Sequence, residues 1–333
     1  MKAIVFDQFG SPSDVLKVRE LPTPEPAPGQ VRVRMKRVPV NPSDMMVIRG
    51  RYGRLPKLPA TPGFEGMGVI EAVGPGFLAK LRGIKPGRRV AVLHGEGGSW
   101  AQQVVLSARN VVPIPDDLPD DQAAAFFVNP ATALVMVNKV LQVPRGAWLL
   151  QTAAGSALGR MIIRLGKAQG FRTLNLIRRA DGVDELKKLG ADAVVVTSTE
   201  NVQERIAAIT EGKKVAHAVD CVGGSMGLEA VKSLGPDGRL LLFGTLSGEP
   251  IALNSRDLMT GSKHIDGFWL SDWVKQQHPI TMLGLFRQIT NQLLAGVLTS
   301  SVEATYKLEQ IHEAAQHADK PGRTGKILLS MED

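Results

Sequence analysis

Cysteine is nearly absent. The 333-residue chain holds one, Cys221, which excludes an intrachain disulfide framework and any zinc or iron–sulfur site built on several thiolates. Histidine is sparse too: the six in the chain are scattered, with no His-x-x-x-His pair that would put two imidazoles on one helix face. Aromatics make up only 5%, and no apolar run reaches the roughly 18–20 residues a bilayer span requires. The opening Met1-Lys2-Ala3-Ile4-Val5-Phe6 is interrupted by Asp7 too soon for a secretory leader. A cytoplasmic protein with no membrane partner is expected.

Positive charge is plentiful. A net charge of +8 raises the question of nucleic acid, yet Lys and Arg are spread along the whole chain and no recognition motif accompanies them. The charge suits a small anionic partner instead, such as a phosphorylated cofactor and a phosphorylated substrate. No nucleic-acid partner is expected.

The length leaves room for two domains, each with its own core. The first third is rich in Pro, Gly and Val. Residues 31–35, in which Arg32 and Arg34 alternate with apolar side chains, and Arg89–Leu93 read as short strands between turns. Residues 21–29 carry too many prolines for a helix or a central strand, and read as a surface connection. From about residue 122 strands alternate with helices: strands over 147–151, 173–177, 193–196, 216–220 and 239–243, helices over 158–169, 182–189, 202–209 and 225–234. Repeated units of this length predict a parallel sheet with helices on both faces. A helix over 281–294 and a strand over 326–329 close the chain.

The turn after the first strand of that pattern reads Ala153-Ala154-Gly155-Ser156-Ala157-Leu158-Gly159. Amides at the start of the following helix can bind a pyrophosphate, since unpaired N–H groups and the helix dipole both favour an anion. Small residues let phosphates approach the backbone, and Gly159 permits close packing of helix on sheet. Ala154 and Ser156 stand where a dinucleotide fingerprint has its first two glycines, so a purely structural turn is the competing reading. The second strand ends in Arg178-Arg179, where an NAD site carries an acidic residue for the ribose hydroxyls. Two guanidiniums there suit a 2′-phosphate; a solvated strand end is the alternative. NADPH is the expected cofactor.

Several segments resemble the medium-chain dehydrogenases/reductases: Gly29-Gln30-Val31-Arg32-Val33, Val40-Asn41-Pro42-Ser43-Asp44, Pro62-Gly63-Phe64-Glu65-Gly66-Met67-Gly68-Val69-Ile70 and Pro86-Gly87-Arg88-Arg89-Val90. The cofactor turn and Gly322-Arg323-Thr324-Gly325-Lys326 join them, so the resemblance spans essentially the whole chain. It implies an α/β fold: a Rossmann doubly wound parallel sheet domain, residues 122–263, inserted in a mainly β GroES-like substrate domain, residues 1–121 and 264–333. In the zinc-dependent members Cys and His ligands hold a catalytic metal. Here Asn41 stands for the first cysteine, Phe64 for the histidine and Val128 or Asn129 for the second cysteine, so no metal is expected. Without that electrophile, reduction of an activated C=C bond or of a quinone remains feasible.

Residues 48–59, with Ile48-Arg49-Gly50-Arg51-Tyr52-Gly53, resemble the 2-enoyl thioester reductases of the mitochondrial type. So do Asp266-Gly267-Phe268-Trp269-Leu270-Ser271-Asp272-Trp273 and Asn129-Pro130-Ala131-Thr132-Ala133. The family's catalytic tyrosine falls on Tyr52, one of two tyrosines in the chain. The resemblance therefore implies hydride transfer from NADPH to the β-carbon of an α,β-unsaturated carbonyl compound, with Tyr52 stabilising the enolate or helping to supply the α-proton; a packing tyrosine is the alternative.

Asn41, Asn129 and Thr132 are candidates for holding the nicotinamide or the carbonyl, or are local caps. Ala154, Gly155, Ser156, Ala157, Leu158 and Gly159, with Arg178, Arg179, Phe243 and Gly244, form the rest of the expected cofactor site. Phe268 and Trp269 would line an acyl pocket, or are a core pair in a strand. Glu65 and Asp44 fall on superfamily positions or bond neighbouring backbone, His94 reads as a loop or core residue, and Cys221 as inert. The expected substrate is a small enoyl thioester, enone or quinone; a non-catalytic NADPH binder is the reading from another class. The resemblance also implies a homodimer, joined near 239–248 at a sheet edge.

Overall fold

In the strand Gln30–Pro39 the side chains of Val31, Val33 and Met35 are buried while Arg32 and Arg34 face outward, the period of two that a half-covered antiparallel sheet imposes. Arg32 is held there by Glu71 at 2.9 Å and Glu25 at 2.7 Å. The computed structural model describes residues 1–77, 79 and 82–332. They divide into one unit of Met1–Asn129 with Leu283–Asp333, and a second, continuous unit, Pro130–Met282.

The first unit is built on a seven-stranded sheet in the order Val302–Lys307, Lys326–Ser330, Gln30–Pro39, Glu65–Val73, Arg89–Leu93, Val111–Pro113, with Gln103–Ser107 also paired to Gln30–Pro39. All its pairs are antiparallel except the one between the two C-terminal strands. The tail thus joins the N-terminal sheet through Leu328 opposite Pro39 and Leu329 opposite Val38. Ile4, Phe6, Val33, Ile48, Trp100 and Ile327 are among the fully buried side chains of its core.

The second unit carries a six-stranded, wholly parallel sheet in the order Ala193–Val196, Arg172–Ile177, Trp148–Gln151, Val215–Asp220, Leu234–Leu242, His264–Gly267. Adjacent apolar side chains such as Leu149 and Leu150, Ala218 and Val219, and Leu240 and Leu241 are buried in its central strands, as in parallel strands covered on both faces. This is the doubly wound α/β arrangement expected of the sequence.

Three sequence expectations need correction. His264–Gly267 pairs with Leu234–Leu242, so the parallel sheet outlasts residue 263 and the chain returns to the first unit near 283 rather than 264. Leu234–Leu242 is flanked on both sides, so residues 239–243 offer no sheet edge; that place belongs to His264–Gly267. Phe268 and Trp269 follow that strand and precede the helix Leu270–Lys275 instead of lying within a strand, with Phe268 half-buried and Trp269 38% exposed. Among the described residues no helix is long and apolar enough to cross a membrane.

Candidate active site and cofactor turn

The helix Pro42–Ile48 starts where proline is tolerated at its first position. Asp44 reaches back so that its Oδ2 accepts from the Asn41 amide at 2.8 Å, while its Oδ1 accepts from the Phe64 amide at 3.2 Å. The helix ends at Arg49, and Gly50, in the left-handed region at φ 69°, turns the chain away. Tyr52 emerges directly from this turn. It is half-buried, and its ring packs on Phe64 with centroids 5.4 Å apart.

The Asn41 side chain, a member of this helix's capping box, also bonds beyond it. Its Oδ1 accepts from Lys326 Nζ at 2.5 Å and its Nδ2 donates to Glu65 Oε1 at 3.0 Å. With an ammonium on one side and a carboxylate on the other, only one orientation of the amide satisfies both. Glu65 Oε2 in turn accepts from the amides of Phe127 and Val128, each at 2.9 Å, at the start of the helix Val128–Val135. Asn41, Asp44, Glu65 and Lys326 are all buried.

Burial raises the Asp44 carboxyl to about 7; the neighbouring Glu65 charge adds to this, while the Asn41 and Phe64 amides and Lys326 oppose it. Burial also lowers Lys326, against the lift from Glu65 and Asp44. The residues at the three metal-ligand positions do not fit zinc. Asn41 is engaged by an ammonium and a carboxylate, Phe64 is an aromatic hydrocarbon, and Val128 and Asn129 offer no thiolate or imidazole.

In the parallel unit the strand Trp148–Gln151 runs into a turn where Ala153 takes a φ of 47°. Ser156 caps the 13-residue helix Ala157–Gln169 by accepting from the Gly159 amide at 3.1 Å. A Cβ on Gly159 would stand 2.5 Å from the Ala154 carbonyl oxygen, so only glycine lets helix and turn approach this closely. At Gly155 a Cβ would meet nothing within 4 Å, which leaves the backbone open to a ligand. Arg160 Nε donates to the Gly155 carbonyl at 3.0 Å and its guanidinium is clamped by Glu185, fixing the turn from behind. The turn therefore fits a pyrophosphate.

At the carboxyl end of the adjacent strand Arg172–Ile177 stand Arg178 and Arg179, both exposed; Arg179 pairs with Asp181 at 3.2 Å. They follow the strand parallel to Trp148–Gln151, at the same carboxyl end of the sheet as the turn. Phe243 and Gly244, both half-buried, leave the carboxyl end of Leu234–Leu242 at that end of the sheet, where Asp220 accepts from the Val222 and Gly223 amides at 2.9 Å and from Thr152 Oγ1 at 2.5 Å.

Of the residues singled out from sequence, the structure brings Asn41, Asp44, Glu65, Phe64 and Tyr52 into one neighbourhood. Asn129 follows the amides that Glu65 holds, and Thr132 is buried one turn further along the same helix. Ala154 to Gly159 form the turn expected to meet the cofactor, and Arg178 and Arg179 end the adjacent strand. Phe268 and Trp269 stand between the strand His264–Gly267 and the helix Leu270–Lys275. His94 is half-buried, and burial depresses its imidazole; Cys221 is buried, and burial, with Asp220 beside it, pushes its thiol up to about 12, consistent with an inert residue.

Sequence reasoning gave no role to Lys326, Arg160, Gln151 or Asp220. For Lys326 the signals were its place at the end of the family segment Gly322–Lys326 and a lysine opening an otherwise apolar strand, Lys-Ile-Leu-Leu.

Comparison with known proteins gives two family matches: the alcohol dehydrogenase GroES-like domain over residues 27–116 and the zinc-binding dehydrogenase over residues 157–287. The chain is 31% identical to the mitochondrial enoyl-[acyl-carrier-protein] reductase of Rattus norvegicus, covering 99% of this chain and 89% of that one. It is 30% identical to the Homo sapiens protein of the same name, with the same coverage. Among solved structures, the quinone oxidoreductase of Escherichia coli complexed with NADPH superposes with a TM-score of 0.91 at 25% identity, over 99% of this chain and all (100%) of that one. A quinone oxidoreductase of Pseudomonas syringae pv. Tomato DC3000 gives 0.89 at 28% identity, over 99% of each chain.

Proposed function

The chain belongs to the zinc-independent medium-chain dehydrogenases/reductases, in the branch of enoyl reductases and quinone oxidoreductases, and on that premise we propose that this oxidoreductase uses NADPH to reduce the C=C bond of an α,β-unsaturated carbonyl compound, a 2-enoyl thioester in the first instance. The observation that carries the reading is the pairing of Tyr52, half-buried on Phe64, with an Asn41–Glu65–Lys326 network at the family's ligand positions. A hydroxyl is present where a metal-bound electrophile is not supported by the donors.

Bound NADPH supplies the hydride. In the Rossmann unit the amides of Ala154 to Gly159 hold the pyrophosphate, Arg178 and Arg179 take the 2′-phosphate through charge-assisted bonds, and Phe243 and Gly244 border the cofactor. Asn41, Asn129 and Thr132 orient the nicotinamide carboxamide or the substrate carbonyl. The Tyr52 hydroxyl donates to the carbonyl oxygen as negative charge develops there, or passes a proton to the α-carbon. Phe268 and Trp269 provide apolar surface for the acyl chain. The protein is a homodimer in this reading, with His264–Gly267 as the pairing edge.

The test is an NADPH-oxidation screen across enoyl thioesters, enones, 2-alkenals and quinones, repeated with NADH and with Tyr52→Phe. The expected result is enoyl turnover that Tyr52→Phe lowers about a hundredfold with little change in NADPH affinity. Joint replacement of Arg178 and Arg179 by alanine is expected to erode the preference for NADPH over NADH by about tenfold or more. Quinone reduction is the second reading, favoured by the names of the solved relatives. Strong quinone turnover without enoyl activity would reverse the order.

A further inference from the structure

We propose that Lys326 is a positioning residue for the nicotinamide end of the cofactor site, acting through Asn41 and Glu65 on the amino end of the helix Val128–Val135. The proposal rests on the reading above, in which Asn129 and Thr132 on that helix meet the nicotinamide.

Three links make the relay. Lys326 Nζ, on a side chain in a residue only 6% exposed, donates to Asn41 Oδ1. The same amide group donates through Nδ2 to Glu65 Oε1, and the other Glu65 oxygen accepts from the Phe127 and Val128 amides. Amides in the first turn of a helix have no partner inside it, and a carboxylate there also complements the helix dipole. Glu65 therefore sets where the helix begins, and Asn129 is the next residue.

The cation itself is placed by sheet register. Lys326 opens the strand Lys326–Ser330, which the Val40 amide bonds at the Ile327 carbonyl and which lies antiparallel to Gln30–Pro39. A buried ammonium needs compensating carboxylates, and Glu65 and Asp44 supply them electrostatically. Compensation alone would concern only stability. The relay differs because it ends on backbone amides next to a residue assigned to the nicotinamide. A loss of the cation frees Asn41 to rotate and Glu65 to seek another donor, so the effect reaches cofactor geometry.

The experiment compares wild type, Lys326→Met, Glu65→Gln and the double variant by titrating NADPH and recording the fluorescence of the bound nicotinamide, with kcat and the KM for NADPH alongside. Lys326→Met is expected to bind NADPH within about threefold of wild type while its bound emission shifts toward that of free cofactor and kcat falls about tenfold. In the Glu65→Gln background, where the relay is already cut, Lys326→Met is expected to add nothing to either readout. A Lys326→Met protein with a lower melting temperature but wild-type emission and kcat overturns the proposal.

Should Lys326→Met fail to fold, the comparison of Glu65→Gln with the double variant still decides. Equal emission and kcat support the relay, and a further drop in the double variant refutes it. A wild-type protein that binds NADPH but oxidises it with none of the enoyl or quinone acceptors sinks the proposed function, whereas the emission comparison continues to judge the relay.

Discussion

The two units bury polar groups by different means. In the Rossmann unit Gln151, Thr173 and Asn175 form a neutral network: Gln151 Nε2 donates to Asn175 Oδ1 at 2.7 Å and to the Gly159 carbonyl at 3.0 Å, and Asn175 Nδ2 donates to Thr173 Oγ1 at 3.0 Å. The buried carboxylate there, Asp220, rests on amides two and three residues ahead in the chain. The mainly β unit instead joins a cation, two carboxylates and an amide drawn from three separate stretches of sequence, with Lys326 and Asn41 285 residues apart. A local carboxylate on its own turn can be satisfied as soon as that turn forms. A long-range charge cluster is satisfied only when the whole sheet is in register, and it leaves an uncompensated charge if any member is lost.

That contrast can be broken in three ways. The largest effect is expected from Glu65→Ala, which strips Lys326 of its main counter-charge and the helix Val128–Val135 of its amide acceptor. A loss of about 3–5 kcal/mol in chemical denaturation is expected. Gln151→Leu removes neutral bonds of the other network and is expected to cost about 1–3 kcal/mol; a loss equal to that of Glu65→Ala would erase the distinction between the two interiors.

The smallest effect depends on pH. Asp44 titrates near 7 in the folded protein and near 3.8 when exposed, so the folded state holds the proton more tightly. The stabilisation this gives is fully present below pH 3.8 and fades as pH rises through 7. Asp44→Asn lacks that dependence. Its melting temperature, measured relative to wild type, should therefore improve between pH 5 and pH 8; a constant difference would mean that Asp44 is ionised throughout and that Lys326 dominates its surroundings.

Much of this was legible in the sequence. The alternation of Val31, Arg32, Val33 and Arg34 marked an inner and an outer sheet face, and helical and strand periods from residue 147 onward traced the parallel unit to within a residue or two at most ends. Glycine and serine at Gly155, Ser156 and Gly159 marked the turn because cap chemistry and close approach are local requirements. The site was less legible. Asn41 was visible as a replaced ligand, but its partners were not, because no spacing rule links residues 41, 65 and 326. For Phe268 and Trp269 the alternative of a core pair in a strand fails, because the strand ends at Gly267 and the helix Leu270–Lys275 begins just after them.

The sequence by itself determined the alternating β–α pattern and the small-residue turn after its first strand, since each depends on neighbours within one turn or one strand, and the resemblance marked the absent thiolate and imidazole ligands. Only the tertiary structure decided that Lys326 would meet Asn41, that Glu65 would hold the start of the helix Val128–Val135, and that Asp44 would be buried enough to titrate near 7. The physical reason is that hydrogen bonding within a turn follows from the backbone torsions of a few residues. The solvation and partners of a buried charge follow from which distant strands come to lie side by side.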